Sequence, residues 1–314
     1  GLAALRGAAG PAPAPLEWRG AALGAEARIL LLHPDPAAAR RALAAVVAEI
    51  ERLEEEFSLF RPWSALSRLN RDGRLARPSL DLRRLVAAAL RLGDLTGGAF
   101  DVTVQPLWRL LARHGGSPPP DEAEAALALV DYRDVDPGAA EIRLARPGMA
   151  LTLNGIAQGA ITDRVAGMLR EAGLDDLLVD VGELRGLGRG PRGLPWQVAL
   201  DHPAAPLAIT LADAAVATSC GGGTLLSPDG WRNHILDPRT GLSPPRDRAV
   251  SVIAPEASLA DGLATALALL PREAAPALLR RAGAAQAIFS EAGGPPWAVG
   301  PDGAVAVPPP GAQG

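Results

Sequence analysis

Trp196-Gln197-Val198-Ala199-Leu200, Leu207-Ala208-Ile209-Thr210-Leu211 and Ala215-Val216-Ala217-Thr218 follow one another with only Asp, Pro and Ala-rich links between them. Short runs rich in apolar and β-branched residues, bounded by turn formers, are read as strands. The same reading takes in Leu177 to Val181 upstream and Ala249 to Ile253 downstream. With links this short, sequential strands pair antiparallel more readily than in a doubly wound sheet, where a helix must return the chain between strands.

Working outward, helical spacing appears on either side of the strand cluster. Pro36 to Phe57 sets Leu43, Val46, Val47, Ile50 and Leu53 along one face and Glu51, Glu54, Glu55 and Glu56 on the other, the pattern of an amphipathic helix. It follows a short strand, Arg28 to His33. Further helices are predicted over Leu82–Leu95, stopped by Gly97-Gly98, over Ile161–Ala172, stopped by Gly173, and over Ser258–Leu269 and Arg272–Ala282. The expected class is α+β, a largely antiparallel sheet core flanked by helices. No internal repeat of fixed period is present.

Composition narrows the function. In 314 residues, 48% are hydrophobic, enough to bury a large core as one globular unit or as two intimately joined lobes over residues 18–298. The 35 acidic and 31 basic residues are dispersed and sum to −4, so no basic face is available for a nucleic-acid backbone. All the bases are arginine, and a single cysteine, Cys220, excludes an internal disulfide and a cysteine-built zinc site. No stretch reaches the roughly 20 apolar residues that a membrane-spanning helix needs. Residues 1–17, small and apolar, are read as the remnant of an export signal or as a flexible arm, and residues 299–314, rich in Pro and Gly, as a loose tail. The localisation expected from the first of these is exported and periplasmic.

Five polar turns exceed what the hydrophobic pattern requires. Glu56–Pro62 with Ser64–Asn70 reads as a helix end, a Pro turn and a capped helical turn. Thr96–Thr103 holds Gly97-Gly98, either a helix C-cap or a place where backbone approaches a ligand. Leu151-Thr152-Leu153-Asn154-Gly155-Ile156-Ala157-Gln158-Gly159 opens onto a helix, whose N–H groups face an anion well, although it carries neither the dinucleotide-fold glycine spacing nor a P-loop ending. Arg232–Gly241 places His234 where an apolar strand meets a turn. In Leu259–Leu267, Asp261 and Thr265 stand four apart at the start of a helix, with both oxygens on one face. Those are donors that hard cations prefer, and an Asp in a first helical turn equally serves the helix dipole.

In this order along the chain, from about residue 18 to 290, the segments resemble the ApbE family of FAD:protein FMN transferases. Ala22-Leu23-Gly24-Ala25 is similar to the family's Met-Gly-Thr segment, Val179–Gly188 to its Gly-Gly-Glu/Asp-Ile turn, and Ala217-Thr218-Ser219 with Cys220 to its Ala-Thr-Ser-Gly. The resemblance implies a magnesium-dependent enzyme that attaches FMN from FAD through a phosphoester to a Thr or Ser of an acceptor protein, releasing AMP. The acceptor it implies is a flavoprotein of an exported or membrane-bound electron-transfer system. It places metal ligands at Asp261, Thr265 and the carbonyls of Gly155 and Ala264, and a base or orienting group at His234. It places FAD contacts at Leu23, Phe60, Ala99, Phe100, Asp101, Thr152, Gln158 and Leu236. Three departures stand out: Gln158 where the family commonly has Lys, Thr152 where it commonly has Asp, and a turn reduced to Gly182-Glu183. The same residues also suit a metal-dependent FAD diphosphatase giving FMN and AMP, or a non-catalytic FAD carrier.

Overall fold

A computed structural model describes residues 15–203, 206–291 and 293–308. In chain order its strands and helices are β1 (Leu16–Ala22), β2 (Ala25–Leu32), α1 (Pro36–Phe57), α2 (Ala65–Asp72), β3 (Arg74–Ala76), α3 (Leu80–Thr96), α4 (Gln105–Arg113), α5 (Pro120–Leu127), β4 (Val135–Asp136), β5 (Glu141–Leu144) and α6 (Ala157–Glu171). There follow β6 (Asp176–Asp180), β7 (Leu184–Leu187), β8 (Trp196–Leu200), β9 (Leu207–Leu211), β10 (Ala214–Cys220), β11 (Ala249–Ala254), α7 (Ala257–Leu269), α8 (Ala275–Ala282), β12 (Gln286–Ser290), β13 (Trp297–Gly300) and β14 (Gly303–Val305).

Nine strands form one sheet in the order β1-β2-β6-β7-β10-β11-β12-β13-β14, and every neighbouring pair is antiparallel. The class is α+β, as the strand cluster predicts. Along β10 the faces alternate: Ala217 joins the principal core beneath α6 and α7, while Val216 joins a second core under the β8–β9 hairpin. The sheet is therefore covered on both sides, which explains why its central strands read as nearly continuous apolar runs.

Helix ends follow their sequence signals. Asp35 accepts from the N–H groups of Ala37 and Ala38 with Pro36 at the first helical position, and Ser79 accepts from Leu82 before α3, which stops at Gly97 with φ +62°. Val47, placed by periodicity on the apolar face of α1, is exposed in the fold, whose buried line is Leu43, Val46, Ile50, Leu53 and Phe57. Helix α6 begins at Ala157 instead of Ile161, so Gln158 and Gly159 belong to its first turn. The Pro/Gly-rich end also carries structure: Gly303–Val305 pairs with β13 as the edge strand of the sheet. Leu16–Ala22, partly inside the predicted arm, pairs along its whole length with β2. Residues 1–14 and 309–314 lie outside the described residues. Among the described residues no helix is long and apolar enough to cross a membrane.

Candidate functional site

The site is built where α6 and α7 exchange carboxylates. Asp163 on α6 accepts the N–H groups of Ala257 (2.8 Å) and Ser258 (2.9 Å) and the Ser258 hydroxyl (2.7 Å), supplying the cap that the first turn of α7 otherwise lacks. In return Asp261 on α7 accepts the N–H of Gly159 in the first turn of α6, at 3.3 Å. Arg185 of β7 donates to Asp163 and ties the pair to the sheet. Glycine is required at the crossing, since a Cβ on Gly159 would stand 2.4 Å from the Ala257 carbonyl oxygen. Gly159→Ala is therefore expected to force the helices apart and cost about 2 kcal/mol, read as a fall in urea midpoint.

Asp261 is buried. Burial pushes its carboxyl up to about 7, against which the Gly159 N–H works only partly. Glu183 lies beside it, also buried, and burial followed by repulsion from Asp261 raises its carboxyl well above the ordinary range. Neither carboxyl has a cationic partner among the described residues. Next along α7, Thr265 Oγ1 lies 3.1 Å from Ser219 Oγ of β10. Gly155 opens the space in front of it: an added Cβ would lie 3.2 Å from Thr265 Oγ1 and 3.2 Å from the Phe100 ring.

A divalent cation fits this donor set. Among the described residues there is no group of three or more His, Cys, Asp or Glu able to hold an ion. The donors are instead one buried carboxylate, the hydroxyls of Thr265 and Ser219, and the backbone at Gly155, a sparse all-oxygen set of the kind magnesium completes with water and phosphate oxygens. Ala264, one turn after Asp261, is the fourth predicted ligand, through its carbonyl. Its side chain is fully buried inside α7.

Other predicted contacts divide into three groups. Ala99, Phe100 and Thr152 lie on the two segments next to the oxygen cluster: the Phe100 ring lies against Gly155, Ala99 precedes it in the core, and the Thr152 N–H ties the segments together by donating to the Val102 carbonyl at 2.7 Å. Asn70 pins the same loop by exchanging two hydrogen bonds with the Leu151 backbone, at 2.6 and 2.8 Å. Gln158 lies over Gly182, whose φ of +94° and missing side chain let the amide approach. Leu23 and Phe60 form the second group. Leu23, at φ +48° in the β1–β2 turn, donates its N–H to Glu54 at 2.6 Å, and Glu54 in turn receives Arg61 beside Phe60, which is 81% exposed. A bulky residue held at positive φ by a buried-side hydrogen bond is a mark of a built turn.

Two predicted contacts face elsewhere. The Asp101 carboxylate is turned into the chain, accepting from the Thr103 N–H (2.7 Å) and hydroxyl (2.5 Å) and from the Tyr132 N–H (2.9 Å). Its side chain organises the turn. Leu236 is buried in a satellite core with Leu107, Leu110 and Leu111, leaving only its backbone to face a cofactor.

His234 sits at the far end of β10. That strand runs from Ser219 through Cys220 into a glycine turn, and a Cβ on Gly223 would lie 3.0 Å from the His234 ring. Its Nδ1 lies 3.2 Å from the Thr224 N–H and 3.4 Å from the Thr224 carbonyl, so the backbone fixes the ring and leaves Nε2 outward. Burial holds the imidazole below its ordinary value, the Thr224 backbone opposing it. Beneath it Asn233, fully buried, donates to the Pro244 carbonyl and accepts from the Ile235 N–H. Ser219, Glu183 and Asp163 were not singled out as site residues from sequence. The first two stand within recognisable motifs, while Asp163 gives no linear signal, its partners being 94 and 95 residues away.

The sequence profile of the ApbE family matches residues 23–289. The chain is 31% identical to the FAD:protein FMN transferase of Treponema pallidum, over 85% of this chain and 82% of that protein, and 34% identical to the one of Vibrio cholerae, over 72% and 73%. Among solved structures, the flavin transferase ApbE of Vibrio cholerae superposes with a TM-score of 0.78 at 28% identity, covering 89% of this chain and 94% of that one. The apo flavinyl transferase ApbE of Pseudomonas stutzeri does so with a TM-score of 0.78 at 30% identity, covering 91% and 93%. By sequence and by fold, the chain belongs to the ApbE family.

Proposed function

We propose that this chain is a magnesium-dependent FAD:protein FMN transferase. The acceptor's Thr or Ser oxygen forms a new bond to the FMN-side phosphorus, the diphosphate bond breaks, and AMP leaves with the bridging oxygen. The observation that carries this reading is the oxygen cluster of buried Asp261 with half-buried Thr265, Ser219 and Gly155, where two uncompensated carboxyls call for positive charge. Magnesium, when bound there, supplies compensation for the negative charge of the diphosphate. Asp261 and Thr265 hold that site in place, and the exchanged caps of α6 and α7 keep it rigid. Phe60 offers a flat apolar surface to the flavin.

His234 serves the acceptor. With Nδ1–H bound to the Thr224 carbonyl, Nε2 carries a free lone pair and takes the hydroxyl proton; with the Thr224 N–H on Nδ1, Nε2 donates and orients the hydroxyl instead. Lowered basicity keeps the ring neutral at pH 7, as either role requires. The composition of Gly1 to Pro15 supports placing enzyme and acceptor outside the cytoplasm, and recovery of the full-length protein in the cytoplasmic fraction would count against that. The reaction is tested by mixing the protein with FAD, magnesium and a candidate flavoprotein domain from an exported or membrane-bound electron-transfer system. Mass spectrometry is expected to find FMN esterified to a Thr or Ser, with AMP in equal amount. Free FMN beside an unmodified acceptor would mean a diphosphatase, and intact FAD a carrier.

A further inference from the structure

Three of the large apolar side chains that the fold leaves exposed, Leu225, Trp231 and Leu242, lie on the segments that carry or flank His234; Trp231 is 80% exposed. Hydrogen bonds hold these segments side by side. Leu225 bridges Asn233, the Asn233 N–H donates to Ser243 Oγ at 2.9 Å, and the Arg232 guanidinium donates to the Gly241 carbonyl at 3.1 Å. An apolar patch on an otherwise polar surface marks a place where another molecule binds, and exposed Trp is favoured at such places.

Beside the patch, a cavity of about 430 Å³ opens between this hairpin and helices α4 and α5. Its floor is Leu107, Leu111 and Leu127, its wall is Trp231, and Glu124 and Asp229 outnumber the one lining cation, Arg232, whose guanidinium is turned to the Gly241 carbonyl. Asp229 is ionised at neutral pH, since the Ser227 hydroxyl and the Trp231 N–H hold its carboxyl below the usual range. Asp121 and Glu122, exposed on the first turn of α5, extend the negative rim. Such a rim repels the diphosphate of FAD. It attracts a partner that is basic and apolar.

We propose that this cavity docks the acceptor polypeptide, through a segment next to its target Thr or Ser that carries an apolar anchor and a basic residue. The proposal deepens the transferase reading and rests on it. A protein hydroxyl can reach His234 only if the acceptor's surface lies against the surface around that ring, and Trp231 precedes His234 on the same hairpin. Contacts beyond the reacting side chain are what give a transient protein substrate its affinity, and the apolar floor with its acidic rim offers both an anchor and electrostatic steering.

Two exposed substitutions test it, Trp231→Ala and Glu124→Arg, assayed with a flavoprotein domain that the unsubstituted enzyme modifies. Thermal melts establish that both remain folded. Trp231→Ala is expected to raise the acceptor KM about tenfold, as loss of an interface Trp commonly does. Glu124→Arg is expected to raise it about threefold, more at low salt than at high, as a rim charge should. FAD affinity, followed by flavin fluorescence, and kcat at saturating acceptor are expected to stay unchanged. An unaltered acceptor KM in both variants overturns the docking site, as does a loss of FAD affinity, which would assign Trp231 to the cofactor. Failure of the unsubstituted enzyme to modify any acceptor is a different result and overturns the transferase reading itself.

Discussion

Asp261→Asn is expected to lower the rate of FAD cleavage with magnesium by about 10³-fold or more while leaving the metal-free protein at least as stable as before. The two effects have one cause. In the fold, burial raises the Asp261 carboxyl from 3.8 to about 7. Its protonated form therefore favours the folded state, a contribution fully present below pH 3.8 and lost as pH rises through about 7. Above that the ionised carboxylate is buried beside Glu183 without compensation, and a divalent cation would relieve it. Asparagine keeps an oxygen for the Gly159 N–H and carries no charge to bury. Melts with and without magnesium at pH 5 and pH 8 check this directly. The unsubstituted protein should gain most from magnesium at pH 8, by about 2 °C for each kcal/mol of binding, and the variant should gain nothing at either pH. An equal magnesium-dependent rise in both proteins would remove Asp261 from the site.

His234→Ala is expected to reduce transfer to the acceptor by about 10² to 10⁴, the range a positioned proton-transfer group supplies. FAD binding should change little, because the ring touches Gly223 and Thr224 and the residue beneath it, Asn233, is held independently by Pro244. The pH profile separates a proton-handling ring from a space-filling one. Burial keeps the imidazole below its ordinary 6.5, so the rate at saturating magnesium should be level above neutrality and fall in acid with a midpoint under that value. The alanine variant should lose this acid limb. If the limb persists in the variant, another group governs it and His234 does no more than shape the loop.

Several parts of the structure were legible along the chain because they depend on neighbours in sequence. Apolar spacing marked α1, α3, α6 and α7, and the glycine stops at Gly97 and Gly173 lie within a turn of the helices they close. Where the reading went astray, a distant segment had intervened. Gly159 looked like loop, yet it sits inside α6 because only a residue without a side chain admits the Ala257 backbone at that crossing. Gly303–Val305 looked like tail, yet it finds a ladder on β13 that no local preference announces.

By itself the sequence determined the class of the fold, the order of the motifs and the four-residue spacing that puts the Asp261 and Thr265 oxygens on one helical face, since each depends on covalent succession and backbone period. Tertiary structure alone decided which charges would be buried and what would face them. Asp163 reaches α7 across 94 residues and Asp261 reaches α6 across 102, and that exchange brings the Gly155 loop against Thr265. Desolvation and hydrogen bonding belong to a place in the folded molecule, and so the demand for a cation at this site arises only when the two helices meet.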